Sequence, residues 1–495
     1  MTFAETVANV NSAVNGFVWG IPMLILLIGT GIYLTIRTRF FQVTRAKMVN
    51  NATFLAIFKK KDVHTSGDKK SISQFQALST ALAATIGTGN IAGVATAITV
   101  GGAGAVFWMW FSAFFGMMTN YSENVLGIYY RKRNDKNEWS GGAMYYISEG
   151  FANKKGLKWL AKPLAGVFCV FCVLASFGIG NMSQVNSIAT SMQSSFHVPP
   201  LVTGIVLAAI VALVILGGIQ RIAQVAERVV PFMAVMYMIG TLLIVIMNIT
   251  KVPGVLGEIF AGAFGVDAIA GGISGVLIKN AVTQGFKRGV FSNEAGLGSS
   301  VMVHSASNVK EPVTQGMWGI FEVFFDTIII CTLTAFTILS TGVVGSVDAS
   351  GAVIKGVPLV SLAFAQNFHE VAGWFVTIAV LLFAFTTVLG WSFYGAKALE
   401  YLLGTKAVFV YKIVFVLFVL VGATMDLSLA WDISDTFNGL MAIPNLIGVL
   451  VLSGTVFTIT NNYLKRRSGS DIAPVLSAYP EIQKTQEEAL RENGD

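Results

Sequence analysis

Two apolar segments of the chain carry glycines and polar residues where a membrane helix is normally uninterrupted. The first is ALAATIGTGNIAGVATAITVGGAG at 81–104, which also contains Thr88 and Asn90. Its glycines stand at positions 87, 89, 93, 101, 102 and 104. The second is VTQGFKRGVFSNEAGLGSS at 282–300, with glycines at 285, 289, 296 and 298. Glycine weakens a helix by about 1 kcal/mol relative to alanine, so both segments predict broken helices.

Broken helices have a chemical use inside a membrane. Unwound backbone is tolerated there only where it is buried in protein or lines a wet cavity. Half-helix N-termini then present free N–H groups to an anion, and exposed carbonyls suit a small cation. A zwitterionic amino acid together with Na⁺ matches such a site. The alternative is that the glycines only permit close helix packing.

The bulk composition indicates an integral membrane protein. Of the 495 residues, 54% are hydrophobic and 12% are charged, whereas a soluble domain carries about 25% charged residues. The N-terminus lacks the basic run and cleavage site of a signal peptide, so the apolar stretch 17–36 is expected to be a retained span. Cys169 and Cys172 lie in an apolar run and are expected to be core residues rather than metal ligands.

The hydrophobic stretches and the basic residues together predict the topology. A membrane helix needs about 20 mostly apolar residues, and we predict an all-α integral membrane protein with eleven transmembrane helices at about 17–36, 76–100, 104–130, 163–191, 200–219, 228–249, 273–305, 315–342, 370–397, 406–424 and 430–461. Lysine and arginine concentrate in 37–73, in 131–162 and at later alternate ends. By the positive-inside rule the N-terminus lies outside the cell membrane and the C-terminus is cytoplasmic. The net charge of +7 follows from these loops and does not indicate nucleic-acid binding.

Setting the first span aside leaves a core of ten, whose members we number core span one (76–100) to core span ten (430–461). The interrupted segments are core spans one and six (273–305), which enter the membrane from opposite sides. Paired interruptions of this kind indicate two inverted five-helix repeats with a binding site between them. The predicted divisions are 1–73 for the extra span and its loop, 74–250 and 251–464 for the repeats, and 465–495 for a solvated cytoplasmic tail.

Five motifs resemble the alanine or glycine:cation symporter family. The most specific is GGAGAVFWMWFSAFFG at 101–116, and the others are GTGNIAGVATAI, ASFGIGNMSQVNS, GVFSNEAGLGSS and DTFNGLMAIPNLIG. They occur in order along nearly the whole chain. The resemblance implies the ten-helix inverted-repeat fold of amino-acid symporters with discontinuous core spans one and six, plus one N-terminal helix.

The resemblance also implies where the substrate binds. Its carboxylate would meet backbone donors near Thr88, Gly89 and Asn90, although Asn90 could instead hold the unwound segment. The remaining substrate contacts would be Gln184 in core span three, Trp391 in core span eight, and Phe291, Ser292 and Asn293 in core span six. Gln184 could alternatively bond between helices.

The sodium site implied by the resemblance lies between core spans one and eight. Its ligands would be the carbonyls of Ala83 and Ile86 and the hydroxyls of Thr386 and Thr387, since Na⁺ is a hard cation that prefers oxygen. The alternative is that each threonine bonds the carbonyl four residues earlier in its own helix. Na⁺ would be a co-transported ion and not a prosthetic group.

These features predict a secondary active symporter that imports alanine and glycine with Na⁺ by alternating access. It is expected to work in the lipid bilayer as a monomer without nucleic-acid partners. The runner-up is proton-coupled symport through Glu294, Glu322, Asp326 or His304. Bonding of Glu322 and Asp326 to neighbouring helices is the plainer interpretation, as is a structural role for Glu294. An enzyme is not expected, because the sequence has no H-E-x-x-H and no G-x-S-x-G motif.

Overall fold

The structure is a computed structural model that describes residues 3–68, 70–265, 274–425 and 428–492. Some residues of the segments predicted above lie outside the described residues. They include Ile273 of core span six, Lys69 in the first basic loop and residues 493–495 of the tail. The described chain is predominantly helical. Its α-helices are α1 Phe3–Val18, α2 Ile21–Arg37, α3 Phe41–Thr44, α4 Ala46–Ala52, α5 Phe54–Lys59, α6 Gln74–Thr85, α7 Val94–Gly101, α8 Gly104–Tyr129, α9 Ala143–Ala152, α10 Lys158–Phe177, α11 Ser183–Phe196, α12 Pro200–Ile215, α13 Gly218–Met247, α14 Val252–Phe264, α15 Ser274–Asn293, α16 Val301–His304, α17 Pro312–Val323, α18 Thr332–Thr341, α19 Val357–Phe368, α20 Val371–Leu403, α21 Ala407–Thr424, α22 Ser428–Arg467 and α23 Pro480–Glu492.

Short irregular elements complete the chain. Within the described ranges, 3₁₀ turns occur at Lys61–Val63 and Ile249–Lys251. One antiparallel pair joins β1 (Lys132–Arg133) to β2 (Trp139–Ser140), with Lys132 opposite Ser140. These two strands lie in the second basic loop, outside the predicted spans.

Long apolar helices confirm that the protein is a multi-pass membrane protein. Seven helical stretches among the described residues are long and apolar enough to cross a membrane, and the bent pair Gln74–Thr85 and Gly89–Gly101 makes eight if it forms one span. Helices overlap all eleven predicted spans, but the number eleven and the division into two repeats stay predictions. The first span differs in one respect, because a helix already begins at Phe3 and packs against α22.

Both predicted interruptions are present. In core span one, α6 ends at Thr85 and the helical stretch from Gly89 to Gly101 is bent by 50° from it. In core span six, α15 ends at Asn293, and only the four-residue α16 follows. The connection between them uses left-handed backbone at Gly296 (φ +93°) and Gly298 (φ +72°), a conformation that glycine adopts without steric cost.

One end of the helix bundle gathers the basic loops, and we call it the basic end. There Arg131, which is 1% exposed, donates to the carbonyls of Ser305, Ser307 and Val309 in the segment after α16. In the first basic loop, partial burial acts to raise the pKa of Asp68, but hydrogen bonds from the Lys70 N–H and from Arg133 hold that pKa below its usual value. The loops predicted to share one side of the membrane therefore lie at one end.

The C-terminal tail is packed against this basic end, so the prediction of a solvated extension is wrong. Leu476 is fully buried and Leu490 is 8% exposed. The Ala478 N–H donates to the Tyr129 carbonyl at 2.9 Å, and Lys310 donates to the carbonyl of Ala489. The polar sequence hid this because only a few apolar side chains make the contact.

We expect Leu476→Ala to lower the thermal stability of the detergent-solubilised protein. Removing a fully buried leucine side chain costs about 2–5 kcal/mol, and Leu476 is 0% exposed. Ile472→Ala is the control, since Ile472 lies in the same tail and is 39% exposed. Melting curves followed by tryptophan fluorescence measure the shift. Equal melting temperatures for the two variants would contradict the packed tail.

Candidate functional site

Three widened helical turns meet in the middle of the bundle. They are π-helical and span Gly89–Gly93 in core span one, Gly178–Met182 in core span three and Phe324–Cys331 in core span seven. The first packs against the third, and the second packs against α20. A π-turn displaces backbone carbonyls from the regular ladder and is frequent at functional sites.

A small cavity, with room for about one water molecule, lies beside these turns. It is formed by core spans one, three, six and eight. Five of the predicted site residues line it: Gly89, Gln184, Phe291, Thr387 and Trp391. The other lining residues are Ala84, Thr85, Gly87, Ile179 and Glu294.

The break in core span one is held open by side-chain hydrogen bonds. The Gly87 N–H donates to Asn90 Oδ1 at 3.0 Å, and Asn90 Nδ2 donates to Asp326 Oδ1 at 2.7 Å. Asn90 is fully buried and does not line the cavity. Of its two predicted roles, the geometry favours holding the unwound segment over contacting a ligand.

Gln184 connects the break in core span one to the π-turn of core span three. Its Oε1 accepts from the Thr88 N–H at 3.3 Å, and its Nε2 donates to the Ile179 carbonyl at 3.0 Å. Gln184 therefore bonds between helices while it also lines the cavity. The Thr88 hydroxyl is buried and has no hydrogen-bond partner among the described residues.

Thr387 meets the end of the first half-helix. Its Oγ1 lies 3.2 Å from the Ala83 carbonyl and 3.5 Å from the Ile86 carbonyl, besides 3.0 Å from Phe383 in its own helix. Carbonyls at a helix C-terminus lack intrahelical partners and carry a partial negative charge. The hydroxyl oxygen of Thr387 and the carbonyl oxygens of Ala83 and Ile86 together fit a small hard cation.

Thr386 is not part of this cluster, contrary to the prediction. Its hydroxyl donates to the carbonyls of Leu382 and Phe383 at 3.0 Å each and lies 3.5 Å from Met233 Sδ. Adjacent residues on a helix point about 100° apart, so Thr386 faces α13 when Thr387 faces the break. Thr386 fits only the alternative interpretation, in which its hydroxyl bonds carbonyls of its own helix.

Core span six brings one of its three predicted residues to the cavity. Phe291 packs on Gly89, where an added Cβ would lie 3.0 Å from the ring. Ser292 instead donates to Asp326 Oδ2 at 2.6 Å. Asn293 donates to Thr327 Oγ1 and accepts from the Ala295 N–H, both at 3.0 Å. Ser292 and Asn293 thus fix the end of α15 and do not line the cavity.

Glu294 lines the cavity, although the sequence named it only for proton coupling and not as a substrate or sodium contact. It has left-handed backbone (φ +57°) and follows the end of α15, so it does not begin the second half-helix. Its carboxylate accepts from Ser299 Oγ at 2.5 Å. The nearby Lys287 forms an ion pair with Asp435 instead of with Glu294. The signal available in the sequence was an acid placed directly before Gly296 and Gly298.

Trp391 lines the cavity and is 2% exposed. It packs on the backbone of Gly180, where an added Cβ would run into the indole. Gly180 of FGIG therefore permits a close approach between core spans three and eight. Two aromatic side chains, Phe291 and Trp391, thus contribute to the lining.

The remaining buried acids bond neighbouring helices. Glu322 Oε2 lies 2.8 Å from His304 Nε2 and 3.3 Å from Asn120 Nδ2. Asp326 accepts from core spans one and six, as described above. The plainer interpretation of both acids is therefore the one that fits the contacts. No group of three or more His, Cys, Asp or Glu side chains within the described ranges could hold a metal ion.

Comparisons with known proteins agree with this architecture. A sequence model described as the sodium:alanine symporter family matches residues 4–477. The sodium/alanine symporter AgcS of Methanococcus maripaludis is 48% identical over 91% of this chain and 96% of its own length. The probable sodium/glutamine symporter GlnT of Bacillus subtilis is 36% identical over 92% and 91%.

Among solved structures, the substrate-bound, outward-open state of a Na⁺-coupled sialic acid symporter superposes with a TM-score of 0.50. It shares 13% identity and covers 95% of this chain and 96% of its own, which is a likeness of fold alone. The family match spans nearly the whole chain, including every element that lines the cavity. The chain therefore belongs to the sodium:alanine symporter family, and it is a membrane transporter rather than an enzyme.

Proposed function

We propose that the protein is a secondary active symporter that imports alanine and glycine together with Na⁺ by alternating access. The observation that carries this proposal is the approach of the Thr387 hydroxyl to the carbonyls of Ala83 and Ile86 at the edge of the cavity. An ion bound there would join core spans one and eight. Na⁺ bound there would stabilise one arrangement of the two repeats over another.

The cavity supports a small amino acid as the substrate. Phe291 and Trp391 both line this small cavity, which favours a short substrate side chain over a long one. The backbone at Gly89, which lines the cavity, would offer a donor to a carboxylate. The Thr88 hydroxyl next to it does not line the cavity, but it is buried without a hydrogen-bond partner among the described residues. The relative named for glutamine makes substrate choice a property to be measured in this chain. We place the basic end in the cytoplasm of the cell and the N-terminus outside.

Proton coupling is the second candidate, and the observation that favours it is the Glu294 carboxylate at the cavity wall. The two candidates separate in liposomes that contain the purified protein. Uptake of labelled alanine under an imposed Na⁺ gradient without a pH gradient supports Na⁺ coupling. Uptake that requires a pH gradient and does not depend on Na⁺ would overturn Na⁺ coupling and support proton coupling.

Two adjacent threonines provide a matched test of the sodium site. We expect Thr387→Val to raise the Na⁺ concentration for half-maximal uptake by about tenfold or more, because an oxygen ligand to a charged group is worth about 1.5–3 kcal/mol. Thr386→Val is the control, since its hydroxyl bonds only its own helix and approaches Met233. Na⁺ titrations of alanine uptake in liposomes measure both. An unchanged Na⁺ dependence in Thr387→Val would remove this residue from the site.

A further inference from the structure

Core spans one and six lie side by side in opposite directions, with a glycine of one facing a side chain of the other at three levels. An added Cβ at Gly89 would lie 3.0 Å from the Phe291 ring, one at Gly93 would lie 3.8 Å from Arg288 Cδ, and one at Gly101 would lie 3.0 Å from Gln284 Cβ. The first of these contacts, between Gly89 and Phe291, lies at the cavity wall. Arg288 therefore lies one helical turn from the cavity, away from the basic end.

The guanidinium of Arg288 stays close to the cavity wall. Its Cζ lies 5.5 Å from the centroid of the Phe291 ring, the ring that packs on Gly89. The residue is half-buried. The guanidinium therefore lies beside a ring that lines the cavity.

Arg288 has no partner of opposite charge in the described part of the chain. The neighbouring Lys287 is paired with Asp435, whereas no described carboxylate forms an ion pair with Arg288. Its Nε is buried without a hydrogen-bond partner. Arginine stays charged at any physiological pH, and a partly desolvated charge is costly unless an acceptor meets it.

We propose that Arg288 forms an outer subsite for the carboxylate of the amino-acid substrate, one turn outside the cavity. The guanidinium presents two parallel N–H donors, which match a carboxylate better than any other common group. The substrate would dock on Arg288 first and then pass Phe291 to reach the cavity. This subsite rests on the proposed function, because it assumes an amino-acid substrate.

The test compares three variants in Na⁺-driven alanine uptake by liposomes. We expect Arg288→Gln to raise KM about tenfold, the loss of one charge-assisted hydrogen-bonded contact, while the maximal rate changes little. Arg288→Lys keeps the charge without the fork and is expected to raise KM by a smaller factor. Lys279→Gln removes a positive charge from the exposed outer part of the same helix and is expected to leave KM unchanged.

Competition by propionate, a carboxylate without an ammonium group, gives an independent readout. Propionate is expected to inhibit alanine uptake competitively in the wild-type protein and far less in Arg288→Gln. A purely structural role for Arg288 would lower the yield of folded protein without separating KM from the maximal rate.

Specific outcomes overturn the subsite. An unchanged KM in Arg288→Gln, an equal rise in Lys279→Gln, or wild-type uptake that propionate does not inhibit would each do so while Na⁺-driven uptake itself persists. If the wild-type protein takes up no alanine under a Na⁺ gradient, the proposed function fails first and the subsite falls with it. If Arg288→Gln does not fold, the Arg288→Lys variant and the wild-type competition still decide.

Discussion

Gly87→Ala is expected to fold and to lose Na⁺-driven uptake. An added Cβ at Gly87 would occupy the place of the Thr387 hydroxyl and would lie 3.4 Å from Gln184 Oε1. The hydroxyl is the free end of its side chain and can rotate away, so the helices need not separate. It would then leave the carbonyls of Ala83 and Ile86, which it approaches to 3.2 and 3.5 Å.

The loss of Na⁺ affinity in Gly87→Ala is expected to exceed the loss in Thr387→Val, because the added alanine methyl group also fills the space where the ion would lie. We expect the apparent affinity for Na⁺ to fall about a hundredfold, which corresponds to roughly 3 kcal/mol. Na⁺-dependent protection of the purified protein against heating measures this affinity without requiring transport.

Gly93→Ala is the control for the Gly87 variant. It lies in the same interrupted span, and its added Cβ would make only an ordinary contact with Arg288 at 3.8 Å. We expect it to keep its Na⁺ affinity. A Gly87→Ala protein that binds Na⁺ as the wild type does would show that the Thr387 cluster is not the ion site.

The breaks could be predicted from the sequence because their cause is local. Glycine and polar residues inside an apolar stretch are visible in the letters, and they mark where a membrane helix can unwind. The interruption at Ile86–Thr88 and the one after Asn293 both follow from this. The pairing of Thr387 with the first break came from the resemblance to a family.

The rotation of each helix about its own axis could not be predicted from the sequence. The differences between the predicted and the observed positions of the site residues come from this rotation. A soluble helix reveals its inward face by the contrast between apolar and polar sides, but α15 is surrounded by protein near its end, where Phe291, Ser292 and Asn293 are all buried. They point to the cavity, to Asp326 and to Thr327 respectively. The same rotation separates Thr386 from Thr387.

The role of Asp326 in joining three spans could not be predicted for a related reason. An acid in core span seven has several possible partners, and the π-turn at Phe324–Cys331 leaves no mark in composition. The structure places its carboxylate against Asn90 at 2.7 Å, Ser292 at 2.6 Å and Thr327 at 2.9 Å. It therefore joins both interrupted spans to core span seven.

Asp326→Ala is expected to abolish the folded protein. The substitution would remove the carboxylate acceptor of the buried donors of Asn90, Ser292 and Thr327. Asn90 and Ser292 would keep only long contacts to Cys331 Sγ and, for Asn90, to the backbone carbonyl of residue 326, and each such group costs about 1–3 kcal/mol. That total approaches the whole stability of a typical protein, about 5–15 kcal/mol. The yield of monodisperse protein in size-exclusion chromatography measures the effect. Asp471→Ala, at an exposed position in the tail, is the control and is expected to match the wild type, so normal yield from Asp326→Ala would contradict the network.

Asp326→Asn separates a role in joining helices from a role in carrying protons. The amide keeps one acceptor oxygen but points an N–H₂ group at a donor, either Asn90 Nδ2 or the Ser292 hydroxyl. A hydroxyl can turn to accept, whereas the Asn90 amide also touches Cys331 and the backbone of core span seven. We therefore expect lower thermal stability with residual uptake that is still driven by Na⁺. A fully stable Asp326→Asn protein without uptake would instead make the Asp326 carboxylate part of the coupling step, because loss of its charge alone would then stop the cycle.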